Sequence, residues 1–339
     1  MKIRKNDILL ILCLALTVLL IAFSSLAKEG AINGISMCEN IVIPSLFPIL
    51  IIFDFICTSK ISQPVENFFA PFTEKILKLP GCTAGVILFG LTGGYPAGAL
   101  LTNSLYENDD IDKETAERLL LFNVNGGVGF IVNAVGCTLL NSQRAGLILF
   151  SSATLSALLI AAANGFYHKK NINSNRTTIY TQSPAKALNE SILKAINSVL
   201  NLSAYIILFS AILNIFPINK NIMPFFEITG GLIENIKNQS LPLTAFQLAF
   251  GGICIHLQLL PIIIKVNLNY LKFLCFRLIH GGMAYFICKL LLLAFPVQEA
   301  VFSNYSEITY EISSINFTFS VLMILGCIVL IFQTKNKIA

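Results

Sequence analysis

The sequence predicts an all-α polytopic membrane protein with about 8–10 transmembrane or re-entrant helices in two related halves, each carrying a glycine-broken, hairpin-like segment. Three observations predict it. Apolar residues make up 55% of the chain and charged residues 12%, against roughly 25% charged in an average soluble protein. Apolar runs long enough to cross a bilayer, which takes about 20 residues, recur from end to end. Two of these runs are interrupted near their middles by glycine pairs, Gly93-Gly94 and Gly251-Gly252. Irregular backbone survives at membrane depth only where protein or a water-filled cavity satisfies its N–H and C=O groups.

Taken in order, Lys2, Arg4 and Lys5 precede an apolar run from Ile8 to Ala27. That run exceeds a signal-peptide core and reads as a retained first span with a cytoplasmic N-terminus. The next run, Ile32 to Cys57, contains Glu39, Asp54, Pro44 and Pro48; prolines four residues apart are expected to bend or break the helix. Acids in such a run face protein or water, though Asp54 reads better as an interfacial residue at the end of the span. A polar connection from Ser59 to Gly81 holds an amphipathic stretch around Asn67 to Leu79. The cluster Glu107 to Glu114 fails as a calcium loop for want of the required glycine and terminal glutamate. It reads instead as a helix start with Asp112 as N-cap.

A second break at Asn123-Val124-Asn125-Gly126-Gly127 precedes apolar segments to Leu140 and from Ala145 to Phe166. The basic stretch His168 to Lys186 divides the halves and belongs on the cytoplasmic side. Spans follow at Ile192 to Phe216, Leu241 to Ile264, Tyr270 to Phe295 and Phe317 to Phe332. An outward acidic loop with Glu299, Glu307 and Glu311 precedes the last of these, and Lys335 and Lys337 hold the C-terminus inside. The organisation is thus 1–31, an N-terminal transmembrane anchor; 32–167, a first membrane half with the broken segment 82–105; 168–190, a cytoplasmic linker; and 191–339, a second membrane half with broken segments within 223–264.

The first break, Phe89 to Ala99, contains four glycines and Pro96. Pro96 disfavours the helical region for Tyr95 and suits the first turn of a new helix, leaving two arms of roughly ten residues, each about 15 Å long. Arms of that length form either a re-entrant hairpin or a discontinuous span. Free N–H groups at such a tip favour anionic or hydrogen-bond-accepting groups. The second half echoes this order: Phe250-Gly251-Gly252 opens a broken segment in which His256 and Gln258 sit inside an apolar run, and Arg277-Leu278-Ile279-His280-Gly281-Gly282 follows as Arg118-Leu119-Leu120 to Asn125-Gly126-Gly127 does in the first. Corresponding glycine-interrupted segments in two halves point to an inverted repeat with a solute site between its members. The candidate substrate-binding residues are Thr92, Gly93, Gly94, Tyr95, Asn123, Asn125, Glu227, Thr229, His256 and Gln258.

The small net charge of +5 is spread over loops and termini and implies no nucleic-acid partner. Nine cysteines stand almost singly inside apolar runs and read as buried small hydrophobes. No catalytic pairing, metal-ligand spacing or phosphate loop is visible, so no enzyme activity, cofactor or metal is expected.

The tip Gly93 to Ala99, the helix Glu117 to Asn123 leading to Gly127, Glu227-Ile228-Thr229-Gly230-Gly231, and Phe250 to Gln258 together resemble the sporulation integral membrane proteins of the YlbJ type. Those carry the nucleoside-recognition, or Gate, domain of concentrative nucleoside transporters and spore maturation proteins. The resemblance runs from about Ser36 to Ala294. It implies paired hairpins, a place in the cell membrane and spore-forming membranes of an endospore former, and a role in building the spore cortex or envelope. Nucleoside transporters place polar and acidic residues at their hairpin tips, whereas this tip offers Thr92, Tyr95 and backbone. The function expected is a carrier or permease-like protein for a small polar solute, with a coupling ion. The alternative is a non-transporting scaffold that assembles other spore-membrane proteins.

Overall fold

A computed structural model describes residues 5–58, 62–167, 184–216 and 218–297. The last predicted span, the acidic loop and lysines around it, and most of the basic linker lie outside the described residues. Among the described residues every regular element is helical. Among them, five segments are long and apolar enough to cross a membrane: Ser24–Ile56, Gln143–Tyr167, Pro184–Leu213, Leu241–Lys265 and Tyr270–Ala294. The chain is an all-α polytopic membrane protein. Side chains such as Leu200, Phe286, Leu290 and Leu293 are more than 60% exposed, the outward apolar surface that lipid, not water, accommodates.

Helix α1 (Lys5–Ala22) ends at Phe23, whose φ of −111° and ψ of 40° leave the helical region. Helix α2 (Ser24–Met37), a π-helical turn (Cys38–Val42) and α3 (Ile43–Thr58) then form one path. Of the two outcomes expected at Pro44 and Pro48, bend or break, the structure shows no break. The π turn lies just before the prolines, where the Ile43 N–H reaches back to Cys38 O and the Ser45 hydroxyl donates to Ile41 O at 2.6 Å. The path continues through the π turn and both prolines without ending the helix. The long helix α9 (Pro184–Leu213) packs antiparallel to this path. Asn214 donates to Leu26 O at one end, and at the other Asp54 accepts from Ser191 at 2.8 Å and pairs with Lys194. Between them Gly30 and Gly34 lie against Ser210 and Ile207, the small-xxx-small spacing that lets membrane helices approach closely.

Helix α4 (Ser62–Phe72) and a π-helical turn (Thr73–Leu77) form the predicted amphipathic connection. It stops at Lys78, in the left-handed region at φ 52°. Arg118, on α7 (Lys113–Phe122), donates to Leu77 O at 2.6 Å and Lys78 O at 2.7 Å and so closes that end. Asp112 caps α7 by accepting from the Thr115 N–H, as the sequence predicts. After the Asn123 break a π-helical segment (Gly129–Leu139) packs on α8 (Gln143–Tyr167) through Gly136 and Gly146. Helix α14 (Tyr270–Ala294) is anchored to α8 by His280, whose Nε2 donates to Ala153 O at 2.8 Å.

Candidate functional site

Helix α5 (Thr83–Gly93) and α6 (Tyr95–Glu107) meet at Gly94, where φ 116° and ψ 169° are open to glycine alone among the residues. The arms fold back on each other. A methyl added to Gly90 would lie 2.6 Å from the Cα of Gly98, and residues eight apart in a continuous helix would be separated by about 12 Å. The segment left open by the sequence between hairpin and span is therefore a hairpin. Its small-residue face receives the second break. Asn123 is wedged against Gly90 and Gly98, and its amide donates to Val86 O at 3.0 Å. Asn125 donates to Leu91 O at 3.3 Å and to Thr154 at 3.2 Å. Gly127 lies so close to the tip that a methyl on it would be 2.7 Å from the Gly94 nitrogen.

The other glycine pair behaves differently. Helix α12 (Leu241–Phe250) passes through Gly251 and Gly252, at φ 89° and 74°, into α13 (Gly252–Lys265). Helix α14 follows both parts, touching Phe246 at Gly281 and His256 at Phe273. This segment crosses with a kink. Its glycines are sandwiched: the Tyr95 ring lies 3.3 Å from a methyl placed on Gly251, and the turn from Pro224 to Ile228 faces Gly252.

Two side chains tie the three breaks together. The Tyr95 hydroxyl donates to Leu248 O at 2.7 Å and borders Gly126. Arg277, wholly buried on α14, donates through Nη1 to Val124 O at 2.6 Å, through Nε to Phe250 O at 3.4 Å and through Nη2 to Ala249 O. His256 shares the same carbonyl, with Nε2 3.1 Å from Phe250 O. A carbonyl only accepts, so Nε2 carries the hydrogen and Nδ1 accepts from the Tyr270 hydroxyl at 3.4 Å.

The structure thus brings Gly94, Tyr95, Asn123, Asn125 and His256 to one junction, and it adds Arg277. Thr92 turns away, its hydroxyl bonded to Leu88 O within its own helix. Gly93 packs against Ala97 and Phe53. Glu227 is buried as the N-cap of the short helix α11 (Ile228–Asn235), which follows α10 (Met223–Phe226). It accepts from the Thr229 N–H at 2.8 Å and the Gly230 N–H at 2.5 Å. Glu39 is exposed on the outer surface and belongs to no site. Gln258 is buried on α13, and neither its amide oxygen nor its nitrogen has a partner. A cavity of about 290 Å³ lies at the far end of α12, lined by Ser240, Leu241, Pro242, Leu292, Pro296 and Val297, away from the junction. At the junction itself side chains pack on one another.

The arms leaving the two glycine breaks are codirectional. Helices α6 and α13 start together at Tyr95 and Gly251 and end together, where Glu107 pairs with Lys265. Glu117 and Lys272 pair 3.8 Å apart between the returning helices α7 and α14. An inverted repeat would set these arms in opposite senses, so that expectation does not describe them.

Arg277 was the residue that sequence reasoning missed as a site member, although an ionisable residue inside an apolar run is itself a functional signal. No protein-family profile and no solved structure matches the chain. The chain is similar to the sporulation integral membrane protein YlbJ of Bacillus subtilis (strain 168), with 25% identity across 93% of this chain and 89% of that protein. With the junction residues falling inside a likeness that spans nearly both whole chains, the chain is similar to the YlbJ-type sporulation integral membrane proteins along almost its full length.

Proposed function

We propose that this sporulation-associated membrane protein is a non-enzymatic carrier, or permease-like protein, that moves a small solute needed for the spore cortex or envelope. The single observation that carries this reading is the convergence of three helix breaks on one buried, polar junction. Broken helices whose ends face one another at depth are how secondary transporters build solute sites. Unsatisfied buried polar atoms support it: Asn123 Oδ1, Asn125 Oδ1, both amide atoms of Gln258, and Nδ1 of His280, which adjoins Gly281. Each costs roughly 1–3 kcal/mol when left unpaired, a cost that binding solute relieves. The resemblance to Gate-domain proteins points the same way.

A scaffold is the second reading. It is favoured by the use of Asn123, Asn125, Tyr95 and Glu227 as internal fasteners, which a rigid assembly platform needs and a moving carrier must release. Reconstitution of the full chain into proteoliposomes separates the two. Uptake of a member of a solute panel, lost in Gly251→Ala, supports the carrier. Absence of all uptake, with other spore-membrane proteins still captured by the same preparation, favours the scaffold.

A further inference from the structure

Ionisable side chains at depth in this bundle turn inward: Glu227, His256, Arg277 and His280 are all buried. Glu39 does not. It lies halfway along the crossing path Ser24–Ile56 and is exposed. Lys289 is also exposed, but it stands near the end of α14 at Ala294, where a lysine stem reaches the membrane surface. About 20 Å of helix separates Glu39 from Leu26, tied by Asn214 at one end, and from Asp54, tied by Ser191 at the other. A carboxylate on two methylenes cannot cover that distance. Glu29, Asn33, Ser36 and Asn40 recur beside it at the i, i+4, i+7, i+11 spacing of one helix face, and all four are exposed. The opposite face is already occupied, with Gly30 and Gly34 against α9 and Met37 against Gly230. Glu39 and Asn40 belong to the π-helical turn Cys38–Val42, an irregularity frequent at functional positions. Asn40 donates to Ser36 O at 2.9 Å and to the Ser36 hydroxyl at 3.2 Å. No donor to Asn40 Oδ1 or to the Glu39 carboxylate is found among the described residues.

Nothing else in the chain answers this face. The apolar part of α1 offers Thr17, already bonded to Cys13 O at 2.9 Å, and the apolar run Phe317 to Phe332 contains no basic or amide side chain. A second copy, related by a two-fold axis along the membrane normal, would set Glu39 against Glu39 at one depth, like charge on like. Lipid tails offer no donor at all.

We infer that the face carrying Asn33, Ser36, Glu39 and Asn40 docks a transmembrane helix of another membrane protein, one that presents an arginine, lysine or amide side chain at the depth of Glu39. Charge complementarity selects this occupant, because an intramembrane carboxylate pairs with a cation or a donor. Hydrogen bonds from such groups hold membrane helices together. The docking depends on no property of the junction and serves a carrier and a scaffold alike.

The test places the full chain in phosphatidylcholine vesicles with a polyleucine helix of about 20 residues carrying one central arginine, and reads association by energy transfer between fluorophores on the two. The controls are the same helix with a central leucine or a central glutamate. The arginine helix is expected to associate roughly tenfold more tightly than the leucine helix, and the glutamate helix no more tightly than leucine. Glu39→Leu should abolish that preference. It removes no contact within the chain, so its thermal unfolding midpoint should match that of the wild type. Equal association of all three helices overturns the docking face. A lowered midpoint in Glu39→Leu assigns the carboxylate to the chain's own fold and overturns it as well. In cells, p-benzoylphenylalanine in place of Asn33 should cross-link on illumination to a membrane protein with a basic or amide side chain inside a spanning segment. The same group in place of Leu200, on the lipid-facing surface of α9, should not. Cross-linking at Asn33 to lipid alone, or to a second copy of this chain, overturns a foreign partner.

Discussion

Gly98→Ala should unfold the junction from its centre. A methyl there would overlap the Asn123 carbonyl oxygen and lie 2.9 Å from its carbon and 3.0 Å from its Cγ. The obstacle is the backbone of the Asn123 break, packed against the hairpin, with no flexible side-chain end to move. Restoring ordinary contact demands a shift of roughly 1–1.5 Å between α6 and the Asn123 break, and overpacking costs about 1–3 kcal/mol, occasionally more. The shift also stretches the Asn123 bond to Val86 O, adding about 1 kcal/mol. Together they make about 2–4 kcal/mol, on the order of 5–10 °C in the unfolding midpoint. Thiol-reactive dye unfolding suits this chain: Cys38, Cys82, Cys254 and Cys288 are buried and report unfolding, and Cys13, Cys137 and Cys275 are exposed and set the baseline. Gly282→Ala is the internal control, because nothing lies within 4 Å of its added methyl, and it should change the midpoint by less than about 1 °C. Equal midpoints for the two variants would refute the hairpin packing.

Three further outcomes are expected. Tyr95→Phe removes a buried bond to Leu248 O and should lower stability by about 1 kcal/mol while leaving surface expression intact; an unchanged midpoint contradicts the bond. Arg118→Ala strands the carbonyls of Leu77 and Lys78 at about 2–4 kcal/mol, and proteolysis near Lys78 should rise in step. Burial pushes the Glu227 carboxyl, outside the five long helices, above its usual range, against the pull of the Gly230 and Thr229 N–H groups. With a folded-state value above the unfolded one of about 4.3, its stabilisation is full below that pH and lost as pH rises through the folded-state value. Glu227→Gln keeps an acceptor for the cap and should flatten that part of the stability profile, whereas a wild type that gains stability over the same range would show the sign to be wrong.

Both glycine breaks were legible in the sequence because Gly-Gly at mid-span has no other comfortable use, and Gly94, Gly251 and Gly252 do take positive φ. Hairpin and crossing were not separable, since each needs the same ten or so apolar residues on either side. The deciding residues are Gly90 and Gly98, placed four positions either side of the tip so that the arms can touch there. No equivalent pair flanks Gly251, where Gln247 and Ile255 occupy those positions. Asn123 and Asn125 were readable as either binders or fasteners, and the wedge against Gly90 and Gly98 makes them fasteners with one spare acceptor each. Arg277 escaped because its partners are backbone carbonyls, two of them 27 and 28 positions away and one 153 positions away. A carbonyl leaves no residue-type signature for a sequence reader to find. How the chain passes the prolines was not legible for a related reason: a π turn is a hydrogen-bond rearrangement, invisible in residue types.

Codirectional arms change what the junction can bind. Had α6 and α13 run oppositely, one would bring a helix N-terminus to the junction and the other a C-terminus, and their dipoles would oppose. Starting together at Tyr95 and Gly251, they bring two N-termini, each equivalent to roughly half a positive charge. The C-termini of α5, α7 and α12 end at the same point, and Arg277 covers two carbonyls of α12 and that of Val124 beyond α7. On the carrier reading, a solute that displaced Arg277 would uncover those carbonyls and so remove the cap of α12. The kink at Gly251 and Gly252, held by that cap on one side and by the Pro224 to Ile228 turn on the other, would then be the place where motion begins. Cross-linking Tyr95→Cys to Leu248→Cys, in a background with the native cysteines replaced, should lock that kink and, on the carrier reading, abolish solute uptake; uptake that persists through the cross-link would move the hinge elsewhere.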